Sequence, residues 1–161
     1  MLSKLAKRSL HDVVIVSAAR TPMGSFQSAL SSFSAPQLGS LAIAEAVKRA
    51  GIEGDVIGES YMGNVCQAHQ GQAPARQATL GAGLPNTIPC TTIHKVCASG
   101  TKAVMMAAQS LMLGLFPIFI EHVLSSISRP PRGDDRRRHG VHVKRALCDE
   151  ASGATIWRCQ D

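Results

Sequence analysis

The residues best placed to do chemistry are Ile93-His94-Lys95-Val96-Cys97-Ala98-Ser99-Gly100-Thr101-Lys102-Ala103. A β-branched run over 87–93 leads into them, and an apolar segment poor in breakers, 102–113, leads out. That order predicts a strand, a tight turn and a helix, with a thiol at the junction. Ser99 is placed to cap the helix, and Gly100 lets backbones approach closely. The positive end of the helix and its unpaired N–H groups then face Cys97 and favour thiolate over thiol. An activated cysteine at such an elbow suits covalent acyl transfer. A lone cysteine is more often one more buried small apolar residue, so the neighbours of Cys97 decide the matter.

Those neighbours form a recognisable pattern. The segment H-K-V-C-A-S-G-T-K-A at 94–103 resembles the nucleophile signature of the thiolases, N-K-V-C-A-S-G-x-K-A. The resemblance also covers V-V-I-V-S-A-A-R-T-P-M-G-S-F at 13–26, Y-M-G-N-V at 61–65 and G-Q-A-P-A-R-Q-A-T-L-G-A-G-L-P at 71–85. One position departs: His94 stands where the family has Asn. The resemblance implies an acetyl-CoA C-acetyltransferase, which joins two acetyl-CoA molecules into acetoacetyl-CoA and CoA or runs the reverse. It implies Cys97 as the nucleophile that carries the acyl group as a thioester. A second cysteine would move the proton at the α-carbon, a histidine would activate the nucleophile, and histidine and asparagine side chains would hold the oxyanions. Two groups are needed because acyl transfer and carbon deprotonation are separate steps. Of these groups only Cys97 has a matching position. The sequence holds neither a C-x-G nor a G-H-P segment, and Cys148 and Cys159 sit in unrelated contexts. The family's CoA-binding loop lies beyond the match, so no cofactor-binding residue is assigned. CoA thioesters enter as substrates, with no cofactor. The family also implies dimers or tetramers, making another thiolase subunit the expected protein partner. The alternative to an enzyme is a non-catalytic fragment that is degraded or that interferes with thiolase assembly.

A chain of 161 residues has the length of one domain. No apolar run reaches the roughly 18 residues of a membrane span, so no membrane partner is expected. The five cysteines are odd in number and show no metal spacing, which fits a reducing compartment and no metal. Cys66 and His69 are two residues apart, but structural zinc needs four ligands, and they read as loop residues. The net charge of +6 is concentrated at Lys4, Lys7 and Arg8 and again over 129–145. No aromatics interleave with these basic residues, which argues against a nucleic-acid partner. Segment 1–11 is basic and free of acids, like a short leader. With the resemblance it points to mitochondria, the cytoplasm being the alternative.

Along the chain, 13–17 is a β-branched run typical of a strand buried on both faces. Segment 25–34 is serine-rich and exposed. Residues 35–50 place Leu38, Leu41, Ile43, Ala46 and Val47 at helical spacing, with Pro36 in the first turn, Lys48 and Arg49 in the last, and Gly51 ending it. A strand is expected near 60–65, a short helix over 74–82, and a strand over 87–93 before the elbow. Two β-α-β passages imply a parallel sheet with right-handed crossovers. The helix after Cys97 has almost no charge and is expected to be buried between layers. The fold class is therefore α/β: an incomplete N-terminal thiolase-fold domain over 12–114, a mostly parallel sheet with a buried central helix, and an irregular or disordered tail over 115–161.

The tail breaks from the family pattern at Gly114. A thiolase would continue with roughly D-V-M-V-A-G-G-M-E-S-M-S-N-V-P-Y-V-M. Here 115–120 is apolar but carries Pro117, and Pro, Arg and Asp dominate 129–138. Dropping the first base from codons for 133–149 yields V-M-I-A-G-G-M-E-S-M-S-N-V-P-Y-V-M. Synonymous codons leave the wobble bases free, but the second base of each codon is constrained and is right at every position. The same frame over 154–160 yields P-P-Y-G-G-V-K. The reading that follows is an insertion over 115–132, such as an unspliced segment, then thiolase coding sequence out of frame. The transcript is the direct check. It should carry the thiolase continuation in the shifted frame, and a transcript without it removes this reading.

Overall fold

The computed structural model describes residues 12–124 and 153–160. The leader-like segment 1–11 and most of the hidden-frame stretch, 125–152, lie outside the described residues. The elements in chain order are β1 (Asp12–Arg20), α1 (Ala35–Ala50), a 3-10 turn (Gly54–Val56), β2 (Glu59–Asn64), α2 (Pro74–Gly81), β3 (Cys90–Ile93), α3 (Ser99–Met112), β4 (Ile118–Leu124) and β5 (Gly153–Gln160). The sheet has the order β1-β5-β4-β2-β3. Strand β2 pairs in parallel with β3 and β4, while β5 runs antiparallel to both β1 and β4. Four strands run in one direction and β5 runs against them, so the parallel β2, β3 and β4 set that the β-α-β pattern implies is joined to β1 through two antiparallel pairings.

Helix α1 begins where the sequence places it. Ser34 and Gln37 form a capping box: the Gln37 N–H donates to Ser34 Oγ at 3.4 Å, and the Ser34 N–H donates to Gln37 Oε1 at 2.8 Å. The helix ends at Gly51, whose φ of 65° is left-handed, and its N–H closes on Val47 O and Lys48 O. The buried face of α1 carries Leu38, Ala42, Ile43 and Ala46. The serine-rich segment ahead of it is exposed throughout except at the half-buried Leu30.

Two hydrophobic clusters flank the sheet. Ala42, Ile43 and Ala46 of α1 and Ala75 and Ala78 of α2 pack on Met62, Ile118, Ile120 and Ile156. On the opposite face, Ala103, Ala107 and Leu111 of α3 pack on Tyr61 and Ile93. Alternation along β2 explains the division, since Tyr61 and Met62 point to opposite faces.

Four sequence expectations are corrected here. Strand β1 is not buried on both faces: among the described residues it is an edge of the sheet, pairs with β5 alone, and leaves Ile15 and Val16 exposed. Leu41 of α1 points outward although its spacing fits the apolar set, because the buried stripe is centred on Leu38, Ala42 and Ala46. Strand β3 begins at Cys90, not 87. The tail is not irregular throughout. Ile118–Leu124 and Gly153–Gln160 are strands, and Ile118, Ile120 and Ile156 enter the core. Pro117 stops short of interrupting β4. It precedes the first paired residue, where its missing N–H costs nothing. Ile118 O then accepts from Gly58 N–H at 3.0 Å.

The two sides of α1 give a direct check. Ile43 is fully buried while Leu41 is 53% exposed. Ile43→Ala should cost about 2–5 kcal/mol of unfolding free energy in a urea titration. Leu41→Ala should stay within about 0.5 kcal/mol. Equal losses would place the stripe wrongly.

Candidate functional site

The site is the elbow between β3 and α3. Strand β3 is only four residues long and ends at Ile93, whose side chain is buried. The chain then turns through His94, Lys95, Val96, Cys97 and Ala98, all exposed, before α3 starts at Ser99. Cys97 is a free, exposed thiol. It is not packed into the core of the described residues.

The turn depends on Val96. Its φ of 48° is left-handed, a region that a β-branched side chain rarely enters. Holding a residue there costs on the order of 1–3 kcal/mol, which the surroundings must offset. Three contacts do so. The Lys95 N–H donates to Ser99 Oγ at 2.8 Å, and Ser99 Oγ–H donates to Val96 O at 2.6 Å. The Val96 N–H donates to His94 Nδ1 at 3.3 Å. Backbone bonds from Ala98 N–H to Lys95 O at 3.0 Å and from Ser99 N–H to Val96 O at 3.1 Å close the turn.

Ser99 therefore does not cap α3. The N-cap is Ala98, which has no side-chain capping bond. The Ser99 hydroxyl instead turns back into the elbow, and the residue is 3% exposed. The first helical bond runs from Lys102 N–H to Ala98 O at 2.9 Å. Cys97 lies two residues before the first residue of α3, at the positive end of the helix. His94, where the thiolase signature has Asn, serves here as a hydrogen-bond acceptor.

Two further residues position the elbow from β2, and the motif alone does not reveal them. A Cβ added at Gly63 would lie 2.6 Å from Gly100 N and 2.7 Å from the Ser99 carbonyl carbon. Only glycine lets the start of α3 sit this close to the strand. A lone Gly inside a strand pattern is the sequence signal for such an approach. Tyr61, one alternation earlier on the same face, shares a hydrogen bond of 3.2 Å with Ser110 Oγ, near the far end of α3. Burial pushes the Tyr61 phenol above its ordinary pKa. The Ser110 bond pulls it the other way, and the Glu59 carboxylate adds to the rise.

Helix α3 itself is buried on one side only. Ser99, Gly100, Ala103, Ala107, Ser110 and Leu111 meet the sheet, whereas Thr101, Met105, Gln109 and Met112 form an exposed stripe. The expectation of a helix enclosed between layers is corrected for the described residues. Small residues let α3 lie close on the sheet, and no described element covers its other side. Cys66 and His69 lie exposed in the loop after β2, away from α3's start in sequence, and Cys148 lies outside the described residues.

A thiolase N-terminal domain model matches residues 13–156. The chain belongs to the thiolase family. The match runs past Gly114 to Ile156 and includes β4 and the first half of β5. The chain is 60% identical over 127 residues to the mitochondrial acetyl-CoA acetyltransferase of Xenopus tropicalis, which covers 79% of this chain and 30% of that protein. It is 55% identical over 129 residues to the human mitochondrial acetyl-CoA acetyltransferase, covering 80% of this chain and 30% of the relative. Among solved structures it is similar to the Acat5 thiolase of Ascaris suum in complex with coenzyme A. There the TM-score is 0.69 at 40% identity, over 76% of this chain and 33% of that one. The chain thus spans about 30% of the length of the curated relatives it matches.

The close approach at Gly63 is testable in this thiolase domain. Gly63→Ala should lower stability by about 1–3 kcal/mol in thermal or urea unfolding, because its new neighbours are backbone atoms that cannot step aside. An unchanged midpoint would show that α3 sits farther from β2.

Proposed function

We propose that this chain supplies the acyl-accepting half-site of an acetyl-CoA C-acetyltransferase, with Cys97 as the nucleophile. One observation carries the reading: the signature cysteine is exposed on a strained left-handed elbow at the start of a 14-residue helix. Its sulfur attacks the carbonyl carbon of acetyl-CoA. A new S–C bond replaces the carbonyl's bond to the CoA sulfur. The thiol proton passes to the departing CoA thiolate, so acetyl-Cys97 and free CoA form with no net oxidation. The positive end of α3 offsets charge that develops at the carbonyl oxygen.

The carbon–carbon step we assign to groups outside these 161 residues. It needs a base at the α-carbon, and neither a C-x-G nor a G-H-P segment is present. Removing one partner of a catalytic set generally forfeits most of its rate, so the chain alone should not turn over. The relatives named as mitochondrial enzymes support a mitochondrial location.

A second reading has its own observation. The uncovered stripe of Thr101, Met105, Gln109 and Met112 runs on into exposed Leu113, Leu115 and Phe116. Its apolar members, Met105, Met112, Leu113, Leu115 and Phe116, suit burial against another thiolase subunit. On this reading the chain is a fragment that joins or disturbs a thiolase oligomer.

Mass spectrometry of the chain after incubation with acetyl-CoA separates the two. The first reading expects an acetyl thioester on Cys97, absent from Cys97→Ser, with no acetoacetyl-CoA thiolysis above that control. No adduct, or one shared equally with Cys66, would overturn it.

A further inference from the structure

The elbow contains a device that the motif does not announce. Val96 is both strained and 61% exposed, so packing of its own side chain does little to hold it left-handed. Its restraint must come through the backbone. Among the described side chains, Ser99 bonds the backbone on both sides of the strained turn, accepting from Lys95 N–H at 2.8 Å and donating to Val96 O at 2.6 Å. That hydroxyl has one proton to give, and these two bonds use it as donor and acceptor at once. Ser99 is buried under the β2 strand at Gly63, so the clamp is anchored to the sheet and not to solvent.

We infer that Ser99 is the positioning residue of the nucleophile. Its hydroxyl locks the chain from Lys95 to Val96 in the turn from which Cys97 projects, and without it the sulfur loses its fixed direction. The inference rests on the reading of Cys97 as the nucleophile. It differs from a helix-capping role, in which Ser99 would satisfy an amide inside α3. Here it satisfies an amide four residues earlier.

The test is the rate of iodoacetamide alkylation at each cysteine of the full chain, read by peptide mass spectrometry. Exposed Cys66 serves as the internal reference and half-buried Cys90 as the monitor of unfolding. Cys97 should react faster than Cys66 in the wild type. Ser99→Ala should slow Cys97 roughly tenfold against Cys66, the factor that loss of such hydrogen bonds supplies, while Cys90 stays slow. In Val96→Gly the turn is no longer strained, so adding Ser99→Ala there should cost only about twofold. That coupling is what a general structural role would not produce. The same Ser99→Ala loss in both backgrounds, or no loss in either, overturns the proposal. A rise at Cys90 matching the change at Cys97 also overturns it, since unfolding then accounts for the effect. A wild-type Cys97 no faster than Cys66 instead overturns the nucleophile reading itself, and this proposal with it.

Discussion

The left-handed peptide at Val96 is the constraint around which the described residues are arranged. A β-branched residue does not adopt φ of 48° unless held there. What holds it is a short chain of contacts from sheet to sulfur. Gly63 has no Cβ, so β2 admits the start of α3 at backbone contact distance. Ser99, the first residue of α3, is thereby buried and can turn its hydroxyl back on Lys95 and Val96. Farther along, the Tyr61 and Ser110 pair ties the same helix to the same strand. The strain is a local cost offset by packing elsewhere, and the result is an exposed thiol two residues before the start of α3.

The two faces of the sheet divide the labour. One is closed by α1 and α2 over a core of Met62, Ile118, Ile120 and Ile156, and it supplies much of the stability. The other carries α3 and the elbow, with fewer buried side chains. Helix α3 is apolar on a side that no described residue covers, while polar Thr101 and Gln109 interrupt that stripe. The candidate site thus has one side open among the described residues of a chain that spans 30% of its relatives' length.

Much of this was legible from the residues, and the failures have physical causes. Local signals were reliable: Pro36, the basic pair Lys48 and Arg49, and Gly51 bound α1, and the β-branched run, Cys97 and breaker-free segment marked the elbow. Burial was less legible, because periodicity identifies a face but not its partner. Leu41 has helical spacing and still points outward, and the apolar β1 lies at an edge because strand order is set by non-local pairing. Pro117 suggested a broken strand, yet one position decides whether its missing N–H matters. Ser99 looked like a cap because serine at a helix start commonly is one. Only the direction of its hydroxyl, which no sequence pattern encodes, assigns it to Val96.

On the proposed role of Cys97, the fold and not the thiol alone makes it a nucleophile. That role is tested most directly by the ratio of Cys97 to Cys66 alkylation rates in native buffer and in denaturing urea. The account predicts a ratio well above one in the native chain that falls to about one when the elbow is dissolved, since an unfolded chain gives both thiols the same ordinary reactivity. A ratio that is the same in both conditions would contradict it.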